Sequence, residues 1–171
     1  MSNPNRTAYT FLEHPFDPLY DENSRVLILG SFPSVKSREQ AFFYGHPQNR
    51  FWRLLALLFD EPVPQSVPEK RALCLKHRVA LWDVIASCEI VGSSDSSIKN
   101  ATANDISAIL SAAPIEQIFV NGKTAAKLYD RYILPQTNRP AVCLPSTSPA
   151  NAAWSLERLK EAWCPVAKHC K

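Results

Sequence analysis

Val26-Leu27-Ile28-Leu29-Gly30-Ser31-Phe32-Pro33-Ser34 sets an uninterrupted apolar run directly before a glycine and a loop of small residues. A run this short, apolar at every position, is the pattern of a strand buried on both faces, as in a parallel sheet. The chain has only four glycines against fourteen prolines; Gly30 directly follows such an apolar segment, and Gly122 follows another, Ile118–Val120, after Asn121. They mark the exits of buried strands, where the backbone must turn or approach closely. Working outward, the same signature predicts further strands over residues 79–82, 115–120 and 141–144.

Helical patterns fill the spaces between. Phe51, Leu54, Leu55 and Leu58 recur at i, i+3, i+4 and i+7, and Trp52, Ala56 and Phe59 add a second stripe, so this helix is buried on more than one side. Pro68 opens a helix over 69–77. Asn104 is the expected N-cap of a helix to about Ala112, with Asp105 favourable in its first turn. Two more helices are predicted over 123–133, with Ala126 and Tyr129 inward, and over 149–163. Residues 31–47 are expected to form a long loop, 86–103 a polar irregular stretch, and 1–24 an extended lead broken by Pro4, Pro15 and Pro18. Strands alternating with helices predict an α/β fold, a three-layer α/β/α sandwich around a central four-stranded, mostly parallel sheet. No linker or repeat divides it, and residues 1–171 are expected to form one domain.

Composition narrows the class. A chain of 171 residues can bury roughly 70% of its unfolded surface, enough for a real core. With 46% hydrophobic and 20% charged residues and no low-complexity tract, disorder is excluded. No apolar run approaches the length of a membrane span, and the polar start lacks the apolar stretch of a secretory signal. The net charge of +3 is too small to point to nucleic acid by itself. The five cysteines are scattered without a C-x-x-C pair, and the four histidines form no H-x-x-x-H pair. Neither a metal nor any other cofactor is expected, and the cysteines fit reduced thiols in a cytoplasmic protein.

Sites in such sheets lie at the carboxyl ends of the strands. Three segments qualify: residues 30–34, Asn121-Gly122-Lys123-Thr124, and Pro145-Ser146-Thr147-Ser148-Pro149. Gly122-Lys123-Thr124 is not a phosphate-binding P-loop, because the glycine that cradle needs five residues earlier is Gln117. No G-x-G-x-x-G or G-x-S-x-G occurs either. The stretch Phe42-Phe43-Tyr44-Gly45-His46-Pro47-Gln48-Asn49-Arg50-Phe51-Trp52 is unusual for a connector. Its aromatics could stack on a flat heterocycle, or Phe42 and Phe43 could plug the core while Asn49 caps the helix. The residues alone leave both readings open.

Residues 30–34, 45–52 and 144–148 resemble the motifs of the uracil-DNA glycosylase superfamily. His46-Pro47-Gln48-Asn49-Arg50-Phe51-Trp52 is similar to the mismatch-specific branch, and Gly30-Ser31-Phe32-Pro33-Ser34 to the hypoxanthine-DNA glycosylase branch. The resemblance spans roughly residues 12–165 and implies a cofactor-free DNA base-excision enzyme. Its expected substrate is double-stranded DNA carrying a deaminated base, hypoxanthine first. The rivals are a uracil or mismatch-thymine glycosylase and a catalytically inactive DNA-binding member. Most branches carry Asp or Asn at the third position of the first motif to position water. Here that residue is Phe32, which can neither orient nor deprotonate water.

The resemblance implies that Asn49 takes over this catalytic role, its carboxamide oxygen accepting a hydrogen bond from the water. Asn121 is implied to bind the amide edge of the flipped base, with Tyr44, Phe43 and Phe32 as the aromatic wall around it. Ser34, Arg50, Lys123, Ser146, Thr147 and Ser148 are the expected DNA contacts, the serines and threonine at phosphates beside a helix N-terminus after Pro149. Residues 31–53 carry Lys36, Arg38, Arg50 and Arg53 against Glu39, so DNA is expected on this face, with the acidic lead turned away. A cytoplasmic, nucleoid-associated monomer without membrane contact completes the expectation.

Overall fold

The computed structural model describes residues 8–170. Its centre is a sheet of four strands, β2 (Val26–Gly30), β3 (Val79–Asp83), β6 (Gln117–Asn121) and β7 (Ala141–Leu144), in the order β3-β2-β6-β7 with every pair parallel. Alternation along β2 makes two cores. Val26 and Ile28 join Val79, Leu81 and Phe119 under α2 (Phe51–Phe59), α3 (Val67–Lys76) and α7 (Leu156–His169). Leu27 and Leu29 join Ala80, Ile118 and Val120 under α4 (Ser107–Ala112) and α5 (Lys123–Tyr132). Helices on both faces of an all-parallel sheet give the three layers read from the sequence.

Four local expectations are corrected. Residues 31–47 contain a helix, α1 (Val35–Gln40), capped by Ser34 and stopped at Ala41 in the left-handed conformation. Residues 86–103 are not irregular: β4 (Ile85–Ile90) and β5 (Lys99–Ala103) join β1 (Thr10–Glu13), from the lead, in an antiparallel sheet of order β1-β4-β5. Ile85, Cys88 and Ile90 anchor it in the second core, while register shifts between β4 and β5 interrupt the alternation that would have revealed it. Asn104 does not cap α4, whose N-cap is Ile106; its carboxamide instead donates to the carbonyls of Asp83 (2.8 Å) and Ile85 (3.2 Å). The last helix starts at Leu156, not at 149, because Ser155 accepts from the Arg158 amide (3.2 Å) and fixes the first turn there. A short α6 (Leu134–Thr137) follows α5. No helix among the described residues is long and apolar enough to cross a membrane.

Candidate active site

Register brings the site together. Gly30 lies opposite Asp83, and Asn121 opposite Leu144, so these strands release their loops at one edge of the sheet. Above that edge is a cavity of about 450 Å³, walled by Phe32, Phe43, Tyr44, Asn49, Asp83 and Asn121 among others. All three segments expected to converge therefore do so.

Thr147 ties two of them to each other. It is fully buried, and its Oγ1 donates to Asn49 Oδ1 (2.8 Å) while accepting from Asn121 Nδ2 (3.0 Å). Its backbone amide donates to Asn121 Oδ1 (3.1 Å). The backbone N–H donors at Thr147 and Phe51 decide which end of each carboxamide is oxygen, so neither side chain is free to flip. Asn49 Oδ1 also accepts from the Phe51 amide (3.0 Å) at the start of α2. This oxygen therefore already accepts from two donors. The part of Asn49 left without a partner among the described residues is Nδ2, whereas the expectation gave the water to the oxygen.

The aromatics divide. Phe42 and Phe43 are both buried in the first core, Phe42 stacked on Trp52 with ring centroids 6.0 Å apart, so these two do plug the interior. Phe43 also reaches the cavity wall, as does Phe32. Tyr44 holds a left-handed backbone (φ 54°), and its ring lies flat on Phe51 at 3.9 Å. Its hydroxyl is the one buried side-chain polar atom without a hydrogen-bond partner among the described residues. Burial, reinforced by the charge of Asp83, pushes its ionisation far above the ordinary phenol range. Asn121 lies near enough to pull the other way, though no hydrogen bond of normal geometry joins them.

The cavity also holds a carboxylate that was not among the expected site residues. Asp83, only 5% exposed, ends β3 at its base, with Oδ2 held by His14 Nε2 at 2.7 Å. Gly30 makes room for it, since a Cβ there would stand 2.5 Å from Asp83 Oδ1. His14 belongs to the lead that was expected to face away, and its side chain is almost completely enclosed. Sequence reasoning missed this pair because the partners are 69 residues apart and share no motif. The available signal was a carboxylate immediately closing the apolar run 79–82.

The expected DNA contacts also separate. Arg50 does not project to solvent: its guanidinium donates to the carbonyls of Ser148 (3.0 Å), Asn151 (3.0 Å) and Trp154. It clamps the loop after β7 onto α2 instead of offering its charge to a phosphate. Thr147 is buried between the two asparagines, so it too is removed from that set. Ser34 caps α1, its Oγ accepting from the Ser37 amide (3.2 Å) and donating to Ser37 Oγ (3.1 Å). Ser146 and Ser148 accept from the amides of Ser148 (3.1 Å) and Ala150 (3.2 Å), leaving each hydroxyl proton to donate at the cavity rim. No helix N-terminus stands directly behind Pro149. Lys123 begins α5 with its side chain exposed, and His46 also lines the cavity.

The chain that carries this strand-end pocket is similar to known proteins along nearly its whole length. Residues 18–167 fit the family model described as the uracil DNA glycosylase superfamily. The chain belongs to this superfamily. A hypoxanthine DNA glycosylase from Methanosarcina acetivorans is 36% identical over 160 residues, covering 92% of this chain and 99% of the relative. Its counterpart from Methanosarcina barkeri is 35% identical over 155 residues, covering 90% and 96%. The solution NMR structure of a uracil-DNA-glycosylase-like protein from Methanosarcina acetivorans superposes with a TM-score of 0.79 at 33% identity, covering 94% of this chain and 99% of that one. In this superfamily member Phe32 lines the cavity at the exit of β2. Among its described residues, no group of three or more His, Cys, Asp or Glu side chains is arranged to hold a metal, and all five cysteines are free.

Proposed function

We propose that this glycosylase excises hypoxanthine from deaminated DNA by hydrolysing the N-glycosidic bond, leaving an abasic site. The observation that carries the reading is the pair of carboxamides, Asn49 and Asn121, locked through Thr147 at the wall of a cavity of about 450 Å³. The two relatives named for hypoxanthine support the choice of base. A nucleobase can reach such a cavity only by leaving the duplex stack, and a base in a weak pair leaves most easily.

The bond to a deaminated purine breaks as positive charge develops on the sugar, so water needs positioning more than it needs a strong base. Asn49 supplies a fixed donor, Nδ2, that holds the water oxygen while a water lone pair faces C1′. Asn121 holds the base through the N–H and lone pair that Thr147 leaves unused. Phe32, Phe43 and Tyr44 form the surrounding wall. Lys123 and the rim hydroxyls of Ser146 and Ser148 hold the backbone on either side. The protein works as a cytoplasmic, nucleoid-associated monomer, one domain without membrane contact. Incubating it with duplexes carrying hypoxanthine, uracil, xanthine or ethenoadenine, followed by alkaline cleavage, tests the proposal. Strand breaks at hypoxanthine support it. Breaks at uracil alone would return the protein to the uracil branch, and tight binding without breaks would make it an inactive lesion binder.

A further inference from the structure

We infer that Asp83, held by His14, reads the protonated N1 edge of the flipped purine and thereby rejects adenine. This rests on the hypoxanthine reading above. His14 Nδ1 lies 2.9 Å from the Phe16 carbonyl, an atom that can only accept, so Nδ1 carries a hydrogen. The Phe16 amide, 3.5 Å from Nδ1, is the longer and weaker of the two contacts. Nε2 then stands 2.7 Å from Asp83 Oδ2, a distance that requires one further proton between them. Whichever of the two atoms holds that proton, it is on the Oδ2 side.

Oδ1 is therefore an acceptor and never a donor. It has no hydrogen-bond partner among the described residues, yet Asp83 is 5% exposed and lines the cavity. The atom sits against the Gly30 backbone, where any side chain would displace it. Its enclosure is not incidental to packing. Four rings, Phe16, Phe32, Phe43 and Trp82, surround the His14 imidazole at centroid distances of 4.3–6.5 Å and hold the pair in one geometry.

A fixed acceptor at the base of a pocket selects by what it faces. Hypoxanthine presents N1–H and can satisfy Oδ1. Adenine presents an N1 lone pair, which would set two acceptors against each other. Asn121 cannot provide this discrimination, because a carboxamide carries both a donor and an acceptor. Asp83 is thus a specificity residue and His14 a positioning residue that acts through it.

The test uses duplexes whose sugar carries a 2′-fluoro group in the arabino configuration, which destabilises the developing cation and blocks cleavage, so binding alone is read. With the unaltered protein, the hypoxanthine duplex should bind at least about tenfold tighter than matched duplexes carrying adenine or unsubstituted purine, both lacking N1–H. In Asp83→Asn that preference should shrink at least tenfold, while affinity for a duplex with an abasic analogue stays as in wild type. His14→Ala should reduce the preference in the same direction. Equal binding of all three bases by the unaltered protein would overturn the inference, as would an Asp83→Asn variant that keeps the wild-type preference. Failure of hypoxanthine excision by the wild type is a separate result, which would remove the substrate assignment and leave the binding preference to be judged by itself.

Discussion

Thr147 Oγ1 donates to Asn49 Oδ1 across 98 residues of chain, at 2.8 Å and wholly out of contact with solvent. This contact, with the return contacts from Asn121, makes the loop after β7 the clamp that orients both carboxamides. Thr147→Val keeps the shape and removes the hydroxyl, so both carboxamides lose an anchor. Single-turnover excision should fall by about tenfold or more, with stability lowered by about 1–3 kcal/mol for the unpaired buried groups. Thr147→Ser should restore most of the rate. A fully active valine variant would show that the network is ornamental.

Asn49→Asp separates the two ends of the carboxamide. A carboxylate still accepts from the Phe51 amide and from Thr147, so α2 keeps its start, but the Nδ2 donor is gone. Excision should drop on the order of 10²–10³-fold, as for removal of a preorganised donor, with lesion binding retained. Asn49→Ala should be at least as impaired. Wild-type single-turnover rates in either variant would exclude Asn49 from catalysis.

Arg50 and Lys123 should behave oppositely. Arg50→Ala leaves three carbonyls without their donor and should cost about 2 kcal/mol in denaturant unfolding, with the salt dependence of DNA binding unchanged. Lys123→Ala should leave stability alone and reduce the salt slope by about one phosphate. The converse pattern would restore Arg50 as a phosphate contact.

Gly30→Ala places a Cβ 2.5 Å from Asp83 Oδ1. The carboxylate must move, and overpacking of this kind costs about 1–3 kcal/mol. Thermal unfolding should therefore come earlier, and hypoxanthine excision should fall more than the loss of folded protein explains. An alanine variant of normal stability and rate would mean that the Gly30–Asp83 approach carries no function.

The parallel sheet was legible because each of its strands is a dense apolar run, and its order puts the exits of those runs at one edge. Asn49, Asn121 and Thr147 could be singled out because each lies in a contiguous motif, but Thr147 was expected at a phosphate and is instead buried between the two asparagines. The antiparallel sheet was not: β5 reads Lys-Asn-Ala-Thr-Ala, too polar to signal a strand, and its register is broken against β4. Nor was the direction of any polar side chain. Arg50 turns inward because three loop carbonyls converge on it, and Asn49 turns its oxygen inward because the Phe51 amide is there to donate. Asp83 and His14 depend on strand register plus a lead that folds back across it through the Leu19–Leu81 bridge, neither of which is written locally.

The central claim is a preference for the deaminated purine, and a competition on matched duplexes measures it most directly. Hypoxanthine and uracil, each opposite thymine in the same sequence context, are offered together at enzyme excess, and both excision rates are followed in one reaction. The account predicts hypoxanthine faster by at least about tenfold, equivalent to roughly 1.4 kcal/mol in transition-state discrimination. Equal rates, or uracil the faster, would contradict it.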